Sequence, residues 1–310
     1  CVLDGTLIGN AANCNLSNIK ADFVLSSQTY QYDGERIAVK PRLKWKTLGN
    51  TSYYGRVQGA SAYGNILVQF HSQDMSDYPL CGCEIIDLNT GNCLQEIQLG
   101  YEEGNHNNSV CFGVERYEPT DKYPLIYTSV TYGERDVYVY RLQEISGTFS
   151  MTKVQTIHLL PRPVYNDTFP TSFVDSRGFL WTEGEKVSNT QNAIYIKYRL
   201  PLLSEGTEVT MTEEDVIDNC ELFVGNPYGI FTSGAEQDGE IIDGILYQAF
   251  GFADRAWINA IDLDAKKIVS TIPLHHSNLN AEPEAVFQYD GMLGVSFNGI
   301  GGLIVGLTFD

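Results

Sequence analysis

The feature that most restricts the fold is an internal recurrence. The chain reads Val57-Gln58-Gly59-Ala60-Ser61-Ala62-Tyr63, a Gly64-Asn65 turn, then Ile66-Leu67-Val68-Gln69-Phe70. It continues with Glu84-Ile85-Ile86-Asp87-Leu88, an Asn89-Thr90-Gly91 turn and Cys93-Leu94-Gln95-Glu96-Ile97. A late stretch repeats the pattern: an Asp243-Gly244 turn, residues 245–250, then Ile258-Asn259-Ala260-Ile261-Asp262-Leu263, an Asp264-Ala265-Lys266 turn and residues 268–272. Both units end as Ile-Asp-Leu, turn, strand. Short runs rich in β-branched and aromatic residues, separated by Gly, Asn and Asp, are strands joined by tight turns.

Three looser units cover residues 110–157, 171–210 and 284–309, the last of them one strand short. In the middle one, residues 208–210 are the expected fourth strand. The five units begin near Gln58, Ser109, Ser172, Glu236 and Glu284. Their spacing of roughly 50–60 residues is close to the period of known propeller repeats with insertions. The sequence therefore predicts an all-β chain folded as a β-propeller of five blades, with six as the competing count. A two-sheet sandwich predicts no such aligned recurrence. The short final unit needs a strand from the N-terminal side, either residues 37–40 or 43–47, and this closure removes the edge between first and last blades. Residues 37–310 form the propeller in this reading, and residues 1–36 a small β-appendage or the remnant of a preceding domain. Helix signals are few. Thr212-Glu213-Glu214-Asp215 has the form of a capping box and starts one short helix, through Asp218 at most.

The units resemble bacterial β-propeller proteins, particularly secreted or surface-attached ones. Val57-Gln58-Gly59-Ala60, Asn105-His106-Asn107-Asn108, Pro124-Leu125-Ile126-Tyr127 and Glu282-Pro283-Glu284 carry the resemblance. It implies an extracytoplasmic location, periplasmic or cell-surface. The Gln58-Gly59 pair is also similar to a motif of propeller glutaminyl cyclotransferases. The architecture hosts binding proteins, scaffolds and enzymes alike, so function must be argued from the site.

Charge and cysteines narrow the partners. Lys and Arg number 20 against 39 Asp and Glu, a net charge of −19. That balance excludes phosphate-backbone recognition and anionic membrane surfaces. No apolar run is long enough to span a membrane. The seven cysteines, an odd number, are too few for a disulfide scaffold. They read as small buried hydrophobes, zinc being the alternative at Cys81 and Cys83. Cys1 is compatible with a lipid anchor.

In a radial fold the starts of the innermost strands line the channel mouth, and here they are polar in every unit. Gln58, His106, Asn107, Asn108, Trp181 and Gln237 are the candidate ligand-binding residues; no resident metal or cofactor is expected, calcium being the one cation these oxygens would suit. Glu282 and Glu284, flanking Pro283, point the same way along an extended segment. Two such carboxylates, or one of them with Glu236 or Glu183 from another unit, would suit acid–base chemistry on a glycoside. No nucleophile elbow, zinc-protease motif or phosphate loop occurs. The expectation is a binding module for a glycan or other polar ligand. Glycoside hydrolysis is the enzymatic alternative, and a protein-binding scaffold the third reading.

Overall fold

The computed structural model describes residues 43–51, 57–72, 82–99, 107–130, 135–160, 165–186, 189–224, 236–252, 255–274, 281–299 and 302–309, with short strand pairs at 2–3/6–7 and 30–32/35–37. Apart from those two pairs, the strands build five sheets in a ring, antiparallel except for one added outer strand. Each sheet starts at the centre and steps outward in chain order. Blade 1 comprises Val57–Tyr63, Ile66–His71, Gly82–Asp87 and Asn92–Gln98. Blade 2 comprises Asn107–Phe112, Ile126–Val130, Asp136–Ile145 and Thr148–His158, with an added outer strand Glu208–Thr210. Tyr165–Val174, Phe179–Lys186, Asn189–Arg199 and Val216–Phe223 form blade 3; Glu236–Ile242, Ile245–Phe250, Trp257–Asp262 and Lys267–Pro273 form blade 4. Blade 5 is Glu282–Tyr289, Met292–Asn298 and Leu303–Phe309, completed by Leu43–Asn50, which pairs with Leu303–Phe309. The chain is a five-bladed β-propeller closed by its N-terminal side. Of the two closing segments expected, the second fills the place.

Each blade is sandwiched between two others, so its middle strands are buried on both faces. Ile66–His71 and Ile245–Phe250 are buried at every position. The outer strand Asn92–Gln98, by contrast, has no fully buried residue. Five apolar clusters form, one at each junction. Phe287 and Ile304 of blade 5 meet Leu67 and Ile86 of blade 1, and Phe70 and Ile85 meet Tyr140 and Ile126 of blade 2. The other three join blades 2 and 3, 3 and 4, and 4 and 5. Burying Leu, Ile and Phe side chains at about 1.5–3 kcal/mol each makes these junctions the main source of stability.

The recurring Asp of Ile-Asp-Leu has a local task. Asp87 Oδ1 accepts from the Asn89 backbone N–H at 3.0 Å and from Asn65 Nδ2 at 2.7 Å, tying two turns together. Asp262 Oδ1 accepts from the Ala265 N–H at 2.9 Å in the equivalent turn. At the hairpins Asp243-Gly244 and Asp290-Gly291 all four residues have positive φ, where Asp and Gly are the tolerated types.

Two expectations are corrected. Glu208–Thr210 is not the fourth strand of blade 3. It pairs in parallel with Thr156–His158 at the rim of blade 2, held by His158 bonding Asp136 at 2.7 Å and Glu208 at 2.9 Å. The Thr212–Asp215 capping box does form, the Asp215 carboxylate accepting from the Thr212 N–H at 2.7 Å. It starts a single 3-10 turn, Glu213–Asp215, and the chain enters strand Val216–Phe223 at once.

Candidate functional site

All five inner strands break register near their starts: at Val57/Ala60, Asn107/Ser109, Asn166/Thr171, Glu236/Gly239 and Pro283/Ala285. A bulge leaves backbone carbonyls outside the ladder, and buried carbonyls need donors. In blades 1 and 4 the same device supplies them. Gln69 Nε2 donates to the Gln58 carbonyl at 2.6 Å and to Phe70 O at 3.1 Å, and its Oε1 accepts from the Ser296 hydroxyl of blade 5. Gln248 Nε2 donates to the Gln237 carbonyl at 3.1 Å, and its Oε1 accepts from the Tyr195 hydroxyl of blade 3 at 2.8 Å. Each glutamine thus ties an inner strand to the preceding blade.

Asp238 occupies the centre. Its Oδ2 accepts from the backbone N–H groups of Ala60 in blade 1 and Val110 in blade 2, both at 3.0 Å, and Oδ1 accepts from Gly239 at 2.8 Å. The carboxyl is fully buried, and burial drives its pKa well above the usual carboxylate range. Gly59 leaves it room: a Cβ there would lie 2.9 Å from Asp238 Oδ2. Blade 4 is thereby bonded across the axis to blades 1 and 2, at a level between the starts and the ends of the inner strands.

The mouth at the inner-strand starts holds four of the residues singled out from sequence: Gln58, Gln237, Glu282 and Glu284. Gln237 Nε2 donates to Glu282 Oε1 at 2.9 Å, joining blades 4 and 5. Burial raises the Glu282 pKa against the pull of that bond. Glu284, beside it, is 3% exposed; burial and then the Glu282 charge push its pKa well up, while Asn298 works the other way. Gln58 is buried and donates to its neighbour's carbonyl, Val57 O, at 2.8 Å. The buried oxygens Gln58 Oε1, Gln237 Oε1 and Asn298 Oδ1 have no hydrogen-bond partner among the described residues. Because the inner strand of blade 5 packs between those of blades 4 and 1, these acceptors come from three consecutive blades.

The remaining candidates are dispersed. Asn107 is buried and donates to Thr128 Oγ1 at 2.8 Å, an internal tie of blade 2, while Asn108 is half-buried. Glu236 and Glu183 both lie near buried Tyr195, whose phenol their charges push further up in pKa after burial itself. Trp181 is 1% exposed in the apolar junction of blades 3 and 4, with Nε1 donating to Asp175 Oδ2 at 3.3 Å. That position is interior packing in a blade junction. His106 and Cys81 lie outside the described residues. Cys83, Cys111 and Cys220 are free and buried, and Cys93 is free and exposed. Among the described residues no group of three His, Cys, Asp or Glu side chains converges as a metal site. No helix among them is long and apolar enough to cross a membrane.

Sequence reasoning missed Asp238 and Glu240. The signal was present as Asp238-Gly239-Glu240, two carboxylates on the same side of an innermost strand. What the spacing could not show is that Asp238 bonds the backbone of two other blades.

No family model and no curated protein matches the sequence. Among solved structures, the chain is similar to the PQQ-bound aldose sugar dehydrogenase of Streptomyces coelicolor, at 11% identity and TM-score 0.48 over 87% of this chain and 99% of that one. It is also similar to a GH43_1 enzyme from Xanthomonas citri, at 10% identity and TM-score 0.41 over 86% and 89% of the two chains. The WD40 domain of SCAP from fission yeast is a further match at 12% identity and TM-score 0.33; the alignment covers 78% of this chain and only 51% of that one.

Proposed function

We propose that the mouth at the inner-strand starts binds a polyhydroxylated ligand of the glycan class, in an extracytoplasmic setting. The observation that carries this reading is the Gln237–Glu282 bond across blades 4 and 5, beside buried acceptor oxygens that have no donor among the described residues. A buried acceptor left unsatisfied costs about 1–3 kcal/mol. Sugar hydroxyls each bring a donor, and a pyranose presents several at once, so one ligand satisfies acceptors on several blades. A glycan array probed with the full chain, followed by calorimetry on any hit, tests this. Glu282→Ala and Gln237→Leu should each weaken binding at least tenfold, and retention of no sugar at all would overturn the proposal.

Glycoside hydrolysis is the second reading, favoured by one observation: Glu282 and Glu284 lie close together, and burial raises the pKa of both, the direction a proton-donating carboxyl needs. Turnover of aryl glycosides that is lost in Glu282→Gln supports it. A panel with no turnover in the wild type returns the site to binding alone.

A further inference from the structure

The opposite mouth, at the ends of the inner strands, is a cavity of about 430 Å³ to which all five blades contribute. That is the size range of small-molecule sites. Glu240 stands in its throat, two residues along the strand from Asp238, with Oε2 accepting from the Gln288 N–H at 2.7 Å. Tyr63, Phe112 and Tyr289 supply aromatic walls, the first two with ring centroids 5.6 Å apart. Asp290 and the Arg177-paired Asp175 are the other acids of the lining, and among the described residues no Lys, Arg or His lines the cavity. Two arginines outside the cavity hold lining residues, and the Arg116 guanidinium lies 5.9 Å from the Tyr63 ring centroid. Arg116 donates to the Tyr63 hydroxyl and the Asp121 carbonyl, and Arg177 to Asp175 and Asp264.

A cavity that pairs a carboxylate with aromatic walls suits organic ammonium groups: the charge pairs with the carboxylate and the alkyl substituents lie against ring faces. Burial pushes the Glu240 pKa up to about 8, against the opposing pull of the Gln288 N–H. A bound cation would favour its ionised form. The acids of the lining do not converge as a metal site, so the charge is better matched by an organic ion.

We propose that this mouth is a second ligand site that takes a small organic cation, an alkyl- or arylammonium, with Glu240 as counter-ion and Tyr63, Phe112 and Tyr289 as walls. It is independent of the glycan reading, because the Asp238 tie stands between the two mouths.

The probe is benzyltrimethylammonium, whose charge does not titrate, with benzyl alcohol as the uncharged control; both are titrated into the full chain by calorimetry. At about pH 9, where Glu240 is ionised, the cation should bind at least tenfold tighter than the alcohol. Its affinity should fall severalfold toward about pH 6.5, where Glu240 binds a proton. The titratable groups facing Glu240 are Asp238 and Cys111 in the channel and Tyr63, Asp175, Tyr289 and Asp290 around the lining. Glu240→Gln keeps an acceptor for the Gln288 N–H, and it should remove at least tenfold of the cation's affinity together with the pH dependence. If that variant fails to fold, Asp290→Asn in the exposed turn should weaken the cation severalfold. Glu282→Ala should leave this affinity unchanged. Equal binding of both probes, no binding of either, or a cation affinity unmoved by Glu240→Gln or Asp290→Asn overturns the assignment.

Discussion

Replacing Asp238 tests how the ring is held at its axis. Asp238→Ala leaves three buried N–H groups, those of Ala60, Val110 and Gly239, without their acceptor. Each orphaned donor costs about 1–3 kcal/mol, and relief of the carboxyl's own burial cost returns part of the sum. The net expectation is a loss of about 3–5 kcal/mol. Asp238→Asn differs in kind. Its amide oxygen can keep the place of Oδ2, with both cross-blade bonds, while its NH2 faces the Gly239 N–H and one bond is lost. With a single bond lost, its cost should stay within about 1–2 kcal/mol. Urea unfolding followed by tryptophan fluorescence and by far-UV circular dichroism reads both variants, provided the two probes give coincident transitions. An alanine variant as stable as the asparagine variant would refute the claim that Asp238 matters through its backbone bonds.

Other expectations follow from the same geometry. Gln69→Leu and Gln248→Leu remove equivalent ties in blades 1 and 4; both should cost about 2–4 kcal/mol by urea unfolding, and a large difference between them would argue against the shared device. In Gly294→Ala the new Cβ would meet the Phe287 ring at 2.2 Å; scanning calorimetry should show a loss of about 1–3 kcal/mol, and an unchanged melting profile would contradict the packing described. For His158, burial lowers the imidazole pKa, but the bonds to Asp136 and Glu208 outweigh it and the net shift is upward. Its contribution is therefore fully present below about pH 6.5 and is lost as pH rises through the elevated value. Amide exchange corrected for intrinsic rates should show the Glu208–Thr210 strand loosening in that window, and His158→Gln should abolish the pH dependence.

Blades 1 and 4 were legible because two signals coincide there: strands buried on both faces read as nearly unbroken apolar runs, and the turns carry Asx acceptors at fixed places. The outer part of blade 3 was not. A strand of three residues such as Glu208–Thr210 carries no information about which sheet edge it joins; that is decided by the His158 bonds and by the parallel register with Thr156–His158. Thr212-x-x-Asp215 signals a helix start correctly, yet nothing after it sustains a helical face, and Val216–Phe223 takes an edge position in blade 3. The polar starts of the inner strands could be read from sequence because the repeat placed them. The Asp238 tie could not, because its partners lie 178 and 128 residues away and no local pattern encodes such a meeting. Trp181 shows the opposite error: an aromatic near a strand end suggests a ligand platform, whereas its indole N–H is satisfied by Asp175 inside a blade junction.

The pairing of Leu43–Asn50 with Leu303–Phe309 also sets an order of events during synthesis. A ribosome working at roughly 5–20 residues per second delivers the partner strand tens of seconds after the first has emerged. Through that interval the early strand stays unpaired while four blades assemble in front of it. A strand that must wait invites association with other chains. Lys44 and Lys46, both solvent-facing in the finished protein, put positive charge on this segment and oppose such encounters. Their replacement by Val or Thr should leave the folded ring intact and lower the yield of soluble protein.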